Sequence, residues 1–145
     1  MNPVLQMIED VSFLALVVWR EARGEPDEGQ IAVACSIMNR VLRPSWWGDS
    51  VLAVVFKKWQ YSSMTDPKDA QLTKWPDPKD PRWQRCLEIA YNVYMKQGPD
   101  PAPGADSYYA DSIPAPAWAD PKKFVCKIGA HNFFDLDSDH ERKST

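Results

Sequence analysis

The stretch that most limits how this chain can fold is the apolar run from Val11 to Trp19, broken only by Ser12, which runs straight into Arg20-Glu21-Ala22-Arg23-Gly24-Glu25-Pro26. A helix that is apolar on every side cannot lie on a surface, so the other elements must wrap around it. Pro3 to Ala22 is predicted as that helix, stopped by Gly24 and Pro26. Its end delivers Glu21 to the point where a buried helix meets a Gly/Pro bend. Burial there would hold the carboxylic acid protonated by penalising its charged form. The bare pattern fits more readily a surface ion-pair cluster of Glu21, Arg20, Arg23, Glu25 and Glu28. In the buried reading Arg20 and Arg23 must point elsewhere, or pair with Glu25 and Glu28, because a close guanidinium would lower that pKa.

A second helix opens at Pro26-Asp27-Glu28, with acids at the positive end of its dipole. Ile31, Ala34, Cys35, Ile37, Met38, Val41 and Leu42 give it a broad apolar stripe. Ser50 is placed to cap a short helix over Val51 to Phe56. From Thr65 to Pro81 the chain is polar and Pro-rich, with Asp-Pro-Lys-Asp at 66–69 and again at 77–80; two copies of four residues make no repeat architecture, and a surface excursion is expected. A further helix begins near Pro81, with Trp83, Leu87, Ala90, Tyr91 and Tyr94 on one face, and ends at Gly98-Pro99. After Asp100 come turns and short extended pieces, 105–110, 124–128 and 132–134, suited to a small hairpin or flap. Residues 137–145 are charged and expected to fray.

With 145 residues and 44% apolar content, the chain suffices for one domain with a real core. A net charge of -3 excludes nucleic acid as the main partner, since phosphate binding needs a concentrated basic face. The start of the chain lacks the basic region and cleavage site of a signal peptide, and its apolar run is about half a membrane span, so no stable membrane insertion is expected. Cys35, Cys86 and Cys126 read as buried free thiols, and with no Cys-x-x-Cys, no His-x-x-x-His and two His in all, neither a metal nor another cofactor is expected. The 7 Trp are unusual for this length. Trp46, Trp47, Trp59, Trp75, Trp83 and Trp118 sit beside Pro, Asp or Ser, and are expected to be partly exposed, either plugging loops onto the core or stacking on ring-shaped ligands such as sugars.

Four separated motifs sharpen this. Glu21-Ala22-Arg23-Gly24-Glu25-Pro26, continued by Glu28-Gly29-Gln30, Ala32-Val33-Ala34 and Asn39-Arg40-Val41, resembles the opening signature of the SleB-type cell wall hydrolases, the spore cortex-lytic enzyme family. Gln60-Tyr61-Ser62 follows, then Asp100-Pro101 with Gly104-Ala105 and Tyr108-Tyr109, then Ile128-Gly129 with His131 and Phe133. The resemblance spans about 14–134. It implies an α+β, mainly α-helical, lysozyme-like fold of the kind found in lytic transglycosylases and resuscitation-promoting factors, with a small β hairpin or flap in the C-terminal third. One catalytic domain over 1–145, with its core at about 3–136, would cut peptidoglycan glycan strands as a monomer.

By the same resemblance Glu21 is the catalytic acid at the β-1,4 bond from N-acetylmuramic acid to N-acetylglucosamine. As a transglycosylase it would act as acid toward the leaving sugar, then as base on the muramic C6 hydroxyl, leaving a 1,6-anhydro end. Hydrolysis is the competitor and wants a second acid; Glu25 and Asp66 are the candidates, with an ion pair to Arg23 and a turn cap before Pro67 as their structural alternatives. Gln60, Tyr61, Trp118 and His131 are read as substrate-positioning residues, as is whichever of Tyr108 and Tyr109 faces the cleft. The chain departs from the family in its Trp46-Trp47-Gly48 loop and in 65–81. A compact wall hydrolase without a leader or separate wall-binding domain is expected to be a bacteriophage endolysin, held in the host cytoplasm until a holin opens the inner membrane. A rival thiol hydrolase using Cys35 and His131 is disfavoured because Cys35 lies within an apolar helix. A non-catalytic wall-binding module is the other rival class.

Overall fold

The computed structural model describes residues 1–137, so the expected fraying of 137–145 falls, beyond Asp137, outside the described residues. The first helix, α1, spans Pro3–Ala22, and every residue from Leu14 to Arg20 is buried. The first two turns are not wrapped: Val4, Leu5 and Ile8 remain exposed. The buried half is enclosed by α2 (Asp27–Leu42), α3 (Val51–Val55), α4 (Ser62–Thr65) and α5 (Pro81–Tyr94). No helix among the described residues is long and apolar enough to cross a membrane.

Two apolar faces are rotated from their expected settings. On α2 the buried residues are Gly29, Gln30, Ala32, Val33, Ala34, Ser36, Ile37 and Arg40, while Leu42 is exposed. On α5 they are Cys86, Ile89, Ala90 and Val93, with Tyr91 exposed. Small residues there allow close approach to α1, and the larger Trp83 and Leu87 are left at the margin of the contact. Cys35 and Cys126 are only partly buried, and Cys86 fully; all three are free thiols.

The segment 65–81, expected as a plain surface excursion, is tied down. Arg20 donates through Nε to the Lys74 carbonyl (3.1 Å) and through Nη1 to the Ser63 carbonyl (3.0 Å). Arg23 donates to Gln71 Oε1 (2.8 Å) and lies 4.3 Å over the Trp19 ring. Neither arginine pairs with Glu25 or Glu28, so the surface charge cluster does not form. The two Asp-Pro-Lys-Asp copies are one local device used twice. In each, the first Asp accepts from the Lys amide two residues on (2.9 Å in both). The last Asp then caps a helix, Asp69 a 3-10 turn over Ala70–Thr73 and Asp80 the start of α5.

The C-terminal part forms a three-stranded antiparallel sheet in the order β1-β3-β2, with β1 at Ser107–Ala110, β2 at Phe124–Ile128 and β3 at His131–Phe134. It is a hairpin, as expected, with an added strand. Gly129 and Ala130 make the two-residue turn, and Gly129 has φ +56, which a left-handed first position requires. A Cβ there would stand 2.9 Å from Glu25 Oε2, so the hairpin tip packs directly on the Glu25-Pro26 bend. Phe133 on the central strand is fully buried between sheet and helices. Phe133→Ala should lower stability by about 3–5 kcal/mol, read as a lower denaturation midpoint with an unchanged slope.

Candidate active site

The end of α1, the 59–63 turn and β1 converge on one pocket of about 370 Å³, lined by Glu21, Arg40, Trp46, Trp59, Gln60, Tyr61, Ser107, Tyr108, Trp118 and Leu136. Glu21 is its one carboxylate among these residues. The Tyr108 hydroxyl donates a short hydrogen bond to Glu21 Oε1, and Ser63 Oγ donates to Oε2 at 2.7 Å. Burial raises the Glu21 pKa above its ordinary value; the bonds from Tyr108 and Ser63 pull it back down, and the nearby negative charge of Asp69 adds to the rise. Burial is the largest of these influences, so the acid holds its proton to higher pH than an exposed glutamate. The Tyr108 phenol is pushed well above its usual range by burial first and by Glu21 next. It therefore stays a donor at neutral pH.

β1 alternates its side chains between the two faces of the sheet, and this separates the two tyrosines. Tyr108 faces Glu21, whereas Tyr109 turns to the other side, stacked on Phe134 at 5.8 Å and edge-on to Trp118 at 6.1 Å. Tyr109 is not a pocket residue, so of the two alternating tyrosines Tyr108 is the one that faces the cleft. Trp118, 40% exposed, reaches the pocket rim while packing on Phe134.

Arg40 organises the opposite wall. Its guanidinium donates to the Asp106 carbonyl (2.6 Å), Gln60 Oε1 (3.1 Å) and Ser107 Oγ (3.3 Å), and lies 5.4 Å from the Tyr61 ring centre. Because Arg40 occupies the Gln60 carbonyl oxygen, the amide NH2 is the end of that side chain left to donate to a ligand. Tyr61 is buried and its phenol is pushed up to about 12, chiefly by burial. Trp47, expected to be exposed, is 2% exposed: its indole N–H donates to the Arg40 carbonyl at 3.0 Å. Trp46, Trp59 and Trp75 are well exposed, as expected, and Trp83 is half-buried.

Three expected site residues stand outside the pocket. Glu25 accepts from the Ala130 amide (2.9 Å) and clasps the hairpin tip instead of pairing with Arg23. Asp66 accepts from the Lys68 amide in the turn before Pro67 and belongs to a neighbouring cavity. His131 is 5% exposed behind Tyr108, ring centres 5.2 Å apart, and does not line the pocket. Its Nδ1 lies 3.1 Å from Glu25 Oε1 but off hydrogen-bond alignment, and burial lowers its pKa although Glu25 opposes the shift. His131 thus supports Tyr108 from the rear. The Cys35 thiol is raised to about 12 by burial and then by Asp100, which leaves it a poor nucleophile.

Arg40, Ser107 and Leu136 were not expected as pocket residues, nor Ser63 as a donor to Glu21. Ser63 and Arg40 sit beside or within motifs already singled out, Gln60-Tyr61-Ser62 and Asn39-Arg40-Val41, so adjacency was the available signal. Nothing local marks Leu136.

The family described as cell wall hydrolase matches residues 24–134, beginning just past Glu21. The chain is 32% identical over 124 residues to the spore cortex-lytic enzyme of Halalkalibacterium halodurans, covering 86% of this chain and 34% of that protein. It is 33% identical over 124 residues to that of Oceanobacillus iheyensis (86% and 41%), and 32% identical over 124 residues to that of Bacillus subtilis (86% and 37%). The chain thus spans only about a third to two fifths of the length of these relatives. Among solved structures, the catalytic domain of the Bacillus cereus SleB protein superposes with a TM-score of 0.64 at 29% identity, covering 86% of this chain and 88% of that one. The catalytic domain of the germination-specific lytic transglycosylase SleB from Bacillus anthracis gives the same TM-score and identity, 0.64 and 29%, over 86% and 93%.

The raised pKa of Glu21 has a consequence for folding. Below the ordinary value of 4.5 both folded and unfolded chains hold the proton; above it the unfolded chain releases the proton first, so stability falls as pH rises until the folded pKa is passed, and the full loss remains above it. Glu21→Gln should therefore melt at higher temperature than wild type at pH 7, with the gap closing as pH falls to about 4. A wild type more stable than the variant at pH 7 would reverse this sign.

Proposed function

Because the chain belongs to the cell wall hydrolase family, we propose that it cleaves peptidoglycan glycan strands at the N-acetylmuramic acid to N-acetylglucosamine β-1,4 bond, as a monomeric lytic transglycosylase acting through Glu21. The observation that carries this reading is a single buried carboxylate, held by two hydroxyl donors, at the wall of a pocket that contains no second carboxylate among its lining residues. The protonated acid gives its proton to the glycosidic oxygen as the bond to the muramic anomeric carbon breaks and positive charge develops there. Tyr108 and Ser63 then steady the carboxylate that results. That carboxylate takes the proton of the muramic C6 hydroxyl as its oxygen bonds to the anomeric carbon, which returns Glu21 to its starting state and yields a 1,6-anhydro end.

Gln60 is proposed to offer its NH2 to an acetamido carbonyl, Tyr61 and Trp118 to bound the sugar, and Tyr108 to keep Glu21 aimed at the bond. Hydrolysis would need a second acid to activate water, and Glu25 and Asp66 are committed to the hairpin tip and to a turn. This occupancy favours the anhydro product.

Glu21→Gln should fold and lower the cleavage rate by about 10²- to 10⁴-fold, and mass spectrometry of the muropeptides released by wild type should find ends one water lighter than reducing sugars. Reducing muramic ends would replace the transglycosylase reading with hydrolysis, new free amino groups would point to the peptide-cutting rival, and no soluble fragments to a binding module. We also propose a lytic setting in a bacteriophage-infected cell, with the enzyme held in the host cytoplasm until a holin opens the inner membrane. Cells making the protein should stay intact until a holin or a membrane-permeabilising agent is added; lysis without either would refute that setting.

A further inference from the structure

A second cavity of about 360 Å³ adjoins the catalytic pocket, lined by Lys58, Trp59, Ser62, Thr65, Asp66, Pro67 and Lys68. Trp59 is common to both cavities. Its indole is 79% exposed, and it stands at φ 71, in the left-handed region that a bulky residue occupies only at a cost. This exposed ring, carried on a strained backbone, stands between the two cavities.

The charge of the second cavity differs from that of the chain. Two lysines against one aspartate leave the lining with one net positive charge, whereas the whole chain carries -3. Neither lysine has a carboxylate within ion-pair distance among the described residues, and Lys58 Nζ rests 4.9 Å over the Trp59 ring. Asp66 spends one oxygen on the Lys68 backbone amide. Two ammonium groups without a carboxylate partner, beside Trp59 and Pro67, suit a ligand with an apolar body and at least one carboxylate.

Resting on the glycan-cleaving reading above, we propose that this cavity is a peptide-stem subsite. It takes the carboxylate-bearing peptide attached to the muramic lactyl group, one step along from the sugar held against Glu21, and makes the enzyme prefer peptide-bearing strands to bare ones. A second sugar ring would also stack on Trp59, but it is neutral and would gain nothing from Lys58 and Lys68. The stem peptide carries free carboxylates that Lys58 and Lys68 can pair with. Because the lysines are solvent-exposed, their attraction should weaken as salt rises.

The test compares purified peptidoglycan with and without prior removal of its stem peptides by an amidase, using wild type and the double variant Lys58→Ala, Lys68→Ala. Wild type should cleave peptide-bearing strands with a kcat/KM about fivefold above that for stripped strands, the scale expected of two exposed ion pairs. The double variant should lose that preference and keep the wild-type rate on stripped strands. Equal losses on both strands, or a preference that survives the double substitution, would overturn the proposal. If neither strand is cut, the glycosidase reading fails separately, and binding still decides the subsite: muramyl dipeptide should shift the Trp59 indole resonance in wild type and not in the double variant. No shift in wild type, or the same shift in both, would refute it.

Discussion

The guanidinium of Arg40 joins the parts of this molecule that must agree for the site to exist. It sits at the end of α2, yet its hydrogen bonds reach Asp106 and Ser107 at the start of the sheet and Gln60 on the turn between α3 and α4. A buried cation is costly unless every donor finds a partner, which is why a carbonyl, an amide oxygen and a hydroxyl converge on it, with Trp47 and Tyr61 packed alongside. The preceding residue, Asn39, reinforces the link by donating to Asp100 Oδ2 and to the Ala105 carbonyl. Two neighbouring side chains thus fix the approach of the 100–107 segment to the helices, and with it the position of Tyr108.

Glu21 sits in a balance that neither burial nor hydrogen bonding sets alone. An acid with no donors would be held neutral and poor at giving up its proton; one surrounded by cations would already have lost it. Here burial is opposed by two neutral hydroxyl donors, while Arg20 and Arg23 turn away to the carbonyls and amide of the 63–74 segment. The polar excursion is therefore part of the site's electrostatics: it draws two positive charges off the acid.

Much of this was legible in the sequence. Pro3 to Ala22 and the strand Phe124–Ile128 were readable to the residue, because Pro, Gly and β-branched patterns mark their ends. The rotated faces of α2 and α5 were not, since small residues such as Ala32 and Cys86 win the tightest contacts while apolar scale favours larger neighbours. Glu21 was singled out by the motif it opens, but its partners Ser63 and Tyr108 lie 42 and 87 residues away in sequence, and no local pattern encodes such distances. Glu25 and His131 were misplaced for a related reason. Their types suit chemistry, yet one is occupied by a backbone amide across the fold and the other is walled in behind a tyrosine.

The strand order β1-β3-β2 places the last strand in the middle. Neither outer strand has a partner until His131–Phe134 has been made, and β1 carries the hydroxyl that aims Glu21. Glu21 therefore has its full set of partners only once the central strand has closed the sheet and fixed β1 in place.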